Sequence, residues 1–354
     1  MAEKKKVKVG LGAFDMAKGI AVLGVIIFHM RARYFSEEMM AFSPLFMVLF
    51  GIGSSLIPMF FIISGYGFME KKPAVVFKKT FSSMILPYLV SIPLVAVSFL
   101  AFSYPAFYPR EEFVKRFWGL MAGLALGLPE NKLVGDFQIW AIVTMWFFLA
   151  LFVAQNLLNL IVKVKKIWLQ ILLVGLCIAV GFVLRAFEFD YYCIALGLLA
   201  VGFCYAGYAI KKWKLLNRWM YSPWAWICLG ILFLPQFFTG FFNMASGEYS
   251  PLKYFSAGCG GVLMMFAALW CNRFNGRITG ALRKIGFQSF WVIYVHGIER
   301  LALPWDALAW ENPSLLLALV IEVGLKIVFI SLGCMVFKKI SQIKYRRLTG
   351  KSLR

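Results

Sequence analysis

Ten apolar runs, most of them close to twenty residues long, follow one another from residue 11 to residue 337 of a 354-residue chain. A hydrocarbon core of ~30 Å is crossed by ~20 helical residues, and in lipid each backbone N–H and C=O must be satisfied within its own helix. The runs lie near 11–31, 44–69, 83–105, 137–161, 167–186, 191–210, 223–242, 251–271, 286–303 and 313–337. They predict an all-α, polytopic membrane protein of about ten transmembrane helices, in a single domain covering 1–354. Only 15% of residues are charged, against about a quarter in a soluble domain, so no run of chain is left to form a separate water-covered unit. The stretch Ile20 to Phe28 after the basic start is superficially like a secretory signal. Asp15 and Lys18 interrupt it and no small-residue cleavage site follows, so it reads as the first span.

The formal net charge of +21 would suit a nucleic-acid binder if it were gathered on one surface. It is instead dispersed in short clusters between apolar runs, which predicts no nucleic-acid partner and a topology signal. With the N-terminus inside, the cytoplasmic segments hold 26 Lys and Arg against two acids, Glu3 and Glu70, while the opposite face holds 9 basic residues against 12 acids. This bias predicts N-in and C-in, with a basic cytoplasmic tail at 338–354. The longest connection, near 106–136, then lies outside; it is either a plain loop or an amphipathic lid at the interface. Seven scattered cysteines without a CxxC pair, and two histidines, predict neither a disulfide framework nor a metal site.

Ionisable groups within a span are costly and usually face the interior of the bundle. The first span carries three. At ~100° per residue, Asp15, Lys18 and His29 fall on one stripe, with Asp15 and His29 ~21 Å apart along the axis. The stripe is either a polar path across most of the membrane, or a capping Asp15, a snorkelling Lys18 and a His29 at the outer headgroups. Asp15 is too far from His29 to touch it, and its spacing suits a pair with Lys18. In the ninth run, His296 has Ser289 seven residues before it, and Glu299 and Arg300 three and four residues after, so these can form one cluster around either a working or a structural histidine. Glu322 and Lys326 stand one turn apart and are expected to neutralise each other.

The segment Asp15–His29, with a basic residue, ten intervening residues and a histidine, resembles the opening of the acyltransferase 3 family of integral membrane acyltransferases. Pro58–Tyr66, an apolar run into Ser-Gly-aromatic, is similar to the family's second-helix signature, and Phe77–Tyr88 to the basic segment that leads into its third helix. Trp146–Phe152 and Ser289–His296 match later landmarks in kind and order. Two departures stand out: Lys18 replaces the commoner arginine, and no cation stands near Ser83.

The resemblance implies an O-acyltransferase of the bacterial plasma membrane that moves an acetyl group from cytoplasmic acetyl-CoA to a hydroxyl of a cell-envelope sugar or glycan. An imidazole titrating near pH ~6.5 suits a general base, so His29 is the expected base, with His296 and Asp15 as further catalytic candidates. Lys18, Lys78 and Lys79 are the candidates for the acyl-CoA phosphates, although Lys78 and Lys79 are equally explained by orientation. Ser64, Tyr66, Trp146, Glu299 and Arg300 are substrate candidates, the Ser64-Gly65 pair having a close-packing reading as well. The lipid bilayer, an acyl-CoA and a carbohydrate acceptor are the expected partners, and an oligomer is left open. The rival is a transporter or exporter of a sugar polymer, which would show paired repeats and broken helices; the sequence displays neither.

Overall fold

The computed structural model describes residues 12–34, 43–103, 109–245, 250–274, 276–305 and 314–349, with the side chains of 31–33, 315–316 and 338–349 outside the description. The basic start and the extreme end of the tail therefore also lie outside it. The chain is almost entirely helical. The helices are α1 (Ala13–Tyr34), α2 (Pro44–Tyr66), α3 (Pro73–Thr80), α4 (Leu86–Ser103), α5 (Arg110–Leu126), α6 (Trp146–Ile161), α7 (Ile167–Ala186) and α8 (Ile194–Lys212). Then come α9 (Leu215–Met220), α10 (Pro223–Phe233), α11 (Pro235–Thr239), α12 (Pro251–Cys271), α13 (Arg277–Phe287), α14 (Ser289–Ala302) and α15 (Leu315–Thr349).

Among the described residues, eight helical segments are long and apolar enough to cross a membrane, so the chain is a multi-pass membrane protein. Two of the ten expected spans are shorter. The run near 223–242 breaks into α10 and α11, because Pro235 removes a backbone donor, and the chain from Gly240 is no longer helical. The run near 286–303 yields α14 with 14 residues, ~21 Å long at 1.5 Å each, short of the hydrocarbon thickness.

Other boundaries move for identifiable reasons. The span expected at 83–105 begins at Pro73, since α3 and α4 join through a π-helical turn, Phe81–Ile85. Pro87 has no N–H to give to the carbonyl of residue 83, and a widened turn accommodates that loss. The span expected at 137–161 starts only at a 3-10 turn, Val143–Met145. Before it lies a hairpin, β1 (Lys132–Val134) paired antiparallel with β2 (Phe137–Ile139), turning at Gly135 with φ +59°. The connection near 106–136 contains α5, stopped by Gly127 in the left-handed region. The last helix runs on past 337 to Thr349, so the first part of the basic tail is helical.

Packing explains which helices are central. Two-thirds of the α6 and α8 spans is buried within the protein, against 17% for α7 and α15, whose apolar sides face outward as a lipid-facing rim must. At the centre, α2 and α8 touch backbone to backbone: a Cβ on Gly65 would run into the Cys204 carbonyl, and one on Gly207 into the Ile62 carbonyl. Small residues drive close helix approach in membranes because the apolar effect offers no force between helices there. Gly207→Val is accordingly expected to cost at least the ~1–3 kcal/mol of an overpacked core, read as a lower unfolding temperature in detergent. An unchanged unfolding temperature would refute that close approach. A second crossing places α13 on the N-terminal half of α1, with Gly19 against the Leu282 carbonyl and Gly286 against the Asp15 carbonyl.

Candidate active site

Because α1 is unbroken from Ala13 to Tyr34, its polar residues sit on one rigid rod. Lys18 Nζ lies 3.2 Å from Asp15 Oδ1 near the start of the rod, ~17 Å along the axis from His29. At the other end the His29 ring stacks on His296, centroids 5.5 Å apart and planes inclined by 27°. Gly297, next to His296 on α14, lets the 3-10 turn Val143–Met145 come close. A Cβ there would be 2.7 Å from Met145 Cε and 2.8 Å from Thr144 Oγ1, so the 3-10 turn packs directly beside the second histidine.

Behind the imidazoles runs a buried chain of charge. His296 Nδ1 is 2.6 Å from Glu299 Oε1, and Lys326 Nζ donates to both oxygens of Glu299 at 2.7 and 2.9 Å. A carboxylate only accepts, so in this contact the imidazole donates through Nδ1. Lys326 also stands 3.4 Å from Glu322 and 4.0 Å over the Trp305 ring, while Trp305 Nε1 donates to the Glu299 carbonyl at 3.2 Å. Tyr34 closes the chain by donating to Glu322 at 2.6 Å, which returns it to α1. His296, Glu299, Glu322 and Lys326 are all buried. Such a chain ties α1, α14 and α15 together, since charges stripped of water need every partner they have.

Two cavities meet at His29. The first, about 410 Å³, is mainly apolar; Val25, Phe28, Phe50, Ile57 and Phe147 line it, with Ser54 and Thr144 as polar points. The second, about 620 Å³, holds Arg116, Arg300, Asn131, Trp140 and Trp305. His29, Trp146 and Asn243 line both, whereas His296 is fully buried and lines neither. The Thr144 hydroxyl is buried with no hydrogen-bond partner among the described residues. Its neighbour Val143, in the wall of the second cavity, has φ +48°, a costly conformation for a β-branched residue, of the order of 1–3 kcal/mol.

Of the residues singled out in the sequence, His29, His296, Glu299, Trp146 and Arg300 are brought together here. Asp15 and Lys18 pair with each other and line neither cavity. Ser64 and Lys79 share a small separate cavity of about 80 Å³, and Lys78 is exposed on α3. Tyr66 packs its ring 4.7 Å from Phe14, and Ser64 sits next to the close-packed Gly65. Glu322 and Lys326 do pair, but Lys326 is held more tightly by Glu299, so that pair belongs to the site rather than to α15 alone. Sequence reasoning missed Tyr34, Arg116, Trp140, Thr144, Asn243 and Trp305. The rarity of ionisable groups in spans was the one signal that pointed toward Lys326.

The chain matches the acyltransferase 3 family model, described as an acyltransferase domain, over residues 11–336. No curated protein and no solved structure gave a match. A family model that covers nearly the whole chain, joined to eight membrane-length helices, identifies this protein as a multi-pass membrane acyltransferase of the acyltransferase 3 family.

Proposed function

We propose that the protein is an O-acetyltransferase of the bacterial plasma membrane, oriented N-in and C-in, which moves acetyl from cytoplasmic acetyl-CoA to a hydroxyl of an envelope sugar or glycan. The observation that carries this reading is the position of His29, half-buried at the junction of two cavities and backed by a second imidazole. The acyl thioester enters the apolar cavity and the sugar hydroxyl the polar one. His29 takes the hydroxyl proton as the oxygen attacks the thioester carbonyl carbon; the C–S bond then breaks, and the departing thiolate takes up that proton. The products are the acetyl ester and free CoA.

Thr144 is the group in the apolar cavity best placed to donate to the oxyanion, since its buried hydroxyl has no partner among the described residues. His296 and Glu299 position His29, and Arg300 and Trp146 contact the acceptor. Lys18, with Lys78 and Lys79, meets the acyl-CoA phosphates, leaving the ~17 Å between Lys18 and His29 to the flexible pantetheine arm. Membership of an acyltransferase family favours this reading over transport.

Membranes containing the protein should move label from [acetyl-¹⁴C]acetyl-CoA into a glycan fraction. Thr144→Val should slow this by ~10²-fold or more, as loss of an oxyanion donor does elsewhere. Absence of any acetyl-CoA consumption by the wild type would remove the proposal, and an undiminished Thr144→Val rate would remove the role of Thr144.

A further inference from the structure

We infer that the apolar cavity beside His29 receives donor acyl groups longer than acetyl, with a saturated chain of medium length as its best-fitting occupant. This deepens the reading above, on which it rests, by naming the class of acyl donor. The first observation is size. A cavity of about 150 Å³ lined by aliphatic and aromatic side chains holds benzene, which is roughly 25 Å³ per carbon. On that scale the two carbons of acetyl fill about 50 Å³ of the 410 Å³ present. The remainder takes the thioester end of the pantetheine arm and still leaves room for a chain of about six to eight carbons.

The second observation is the chemistry of the walls. Val25 on α1, Phe50 and Ile57 on α2, Phe147 on α6 and Ile293 on α14 surround the space, and among the described residues no Asp, Glu, Lys or Arg lines it. The Ser54 hydroxyl is committed to its own helix, donating to the Gly51 carbonyl at 2.8 Å. Water in such a space finds few partners, whereas methylene groups regain the dispersion contacts that a void forfeits. The groups able to act on a thioester gather at one end. Thr144 meets Gly297, the neighbour of the histidine that stacks on His29. That continuity with the reacting end makes the tail of the donor the occupant. The chemical step is the same for a longer chain. The acceptor oxygen bonds to the acyl carbonyl carbon, the C–S bond breaks, and the proton held by His29 passes to the thiolate, giving the longer ester and free CoA.

The test follows release of CoA thiol from acetyl-, butanoyl- and hexanoyl-CoA by membranes carrying the full-length protein, with the rate of membranes lacking it subtracted. A methylene fully removed from water contributes about fourfold, so hexanoyl-CoA should exceed acetyl-CoA in kcat/KM by about tenfold or more, with butanoyl-CoA between them. The gain should appear in KM, because the tail binds alike before and during the reaction. Val25→Phe on α1 and Ile57→Phe on α2 each put a ring into the space and should lower the hexanoyl-to-acetyl ratio severalfold. Two sites on separate helices guard against one variant failing to fold, and the wild-type ratio decides in either case. Equal kcat/KM for the three donors, a preference for acetyl-CoA, or a ratio that neither substitution changes would overturn the inference. Turnover of acetyl-CoA with no gain on lengthening sinks the inference alone. Turnover of hexanoyl-CoA with none of acetyl-CoA sinks the acetyl reading and sustains the inference, and no release above background from any donor sinks both.

Discussion

Replacing His29 by Ala is expected to lower acetyl transfer by ~10²–10⁴-fold, the range a positioned general base supplies, while the protein stays in the membrane. His29 is the imidazole that faces both cavities, and no other histidine lines either of them. His296 cannot substitute for it, being fully buried and committed through Nδ1 to Glu299. The loss should fall on kcat, because the ring acts on a proton that moves only during reaction. The measurement is initial transfer of label from acetyl-CoA on membranes carrying equal amounts of wild-type and variant protein. A His29→Ala protein with near wild-type rates would end the case for this residue as the base.

The second large effect concerns stability and separates two partners of one network. Lys326→Met leaves Glu299 and Glu322 buried without the ammonium that both contact, a defect of ~3–5 kcal/mol by comparison with other broken buried pairs. Glu299→Gln should cost less, since Lys326 keeps Glu322 at 3.4 Å and a neutral amide can still accept a hydrogen bond. Thermal unfolding in detergent should therefore rank wild type above Glu299→Gln, and Glu299→Gln above Lys326→Met. Both variants should also slow transfer: Glu299→Gln takes the carboxylate from His296 Nδ1, and Lys326→Met removes the ammonium that holds that carboxylate in place behind the imidazole. A Lys326→Met protein as stable as the wild type would show that the network does not hold α15 to α14.

Hydropathy and charge spacing are local quantities, and they made most of the helices legible. Eight of the ten expected spans appear at membrane length because apolar runs of that size admit little besides a helix in lipid. The Asp15–Lys18 pair on α1 was readable for the same reason, a fixed angle and rise per residue. The proximity of His296 to Glu299 followed from a three-residue step on one helix. Where local rules compete, the reading slipped. Phe137–Ile139 opens the apolar run expected at 137–161, yet the Gly135 turn folds it into a hairpin, and Pro235 divides a run that composition alone would leave whole.

What the sequence determined by itself was the class of molecule, the membrane helices, and the presence of rare ionisable groups that lipid would not tolerate without a purpose. Only the tertiary structure decided which of those groups meet. Lys326 reaches Glu299 across 27 residues of chain and Tyr34 reaches Glu322 across 288, distances over which no periodicity carries information. The two cavities, and the cations and tryptophans around one of them, arise where α1, α2, α5, α6 and α14 come together. A helix specifies which of its own faces is polar; which neighbour that face finds depends on how glycine-scale steric fits let whole helices approach, a property of the packed bundle rather than of any segment.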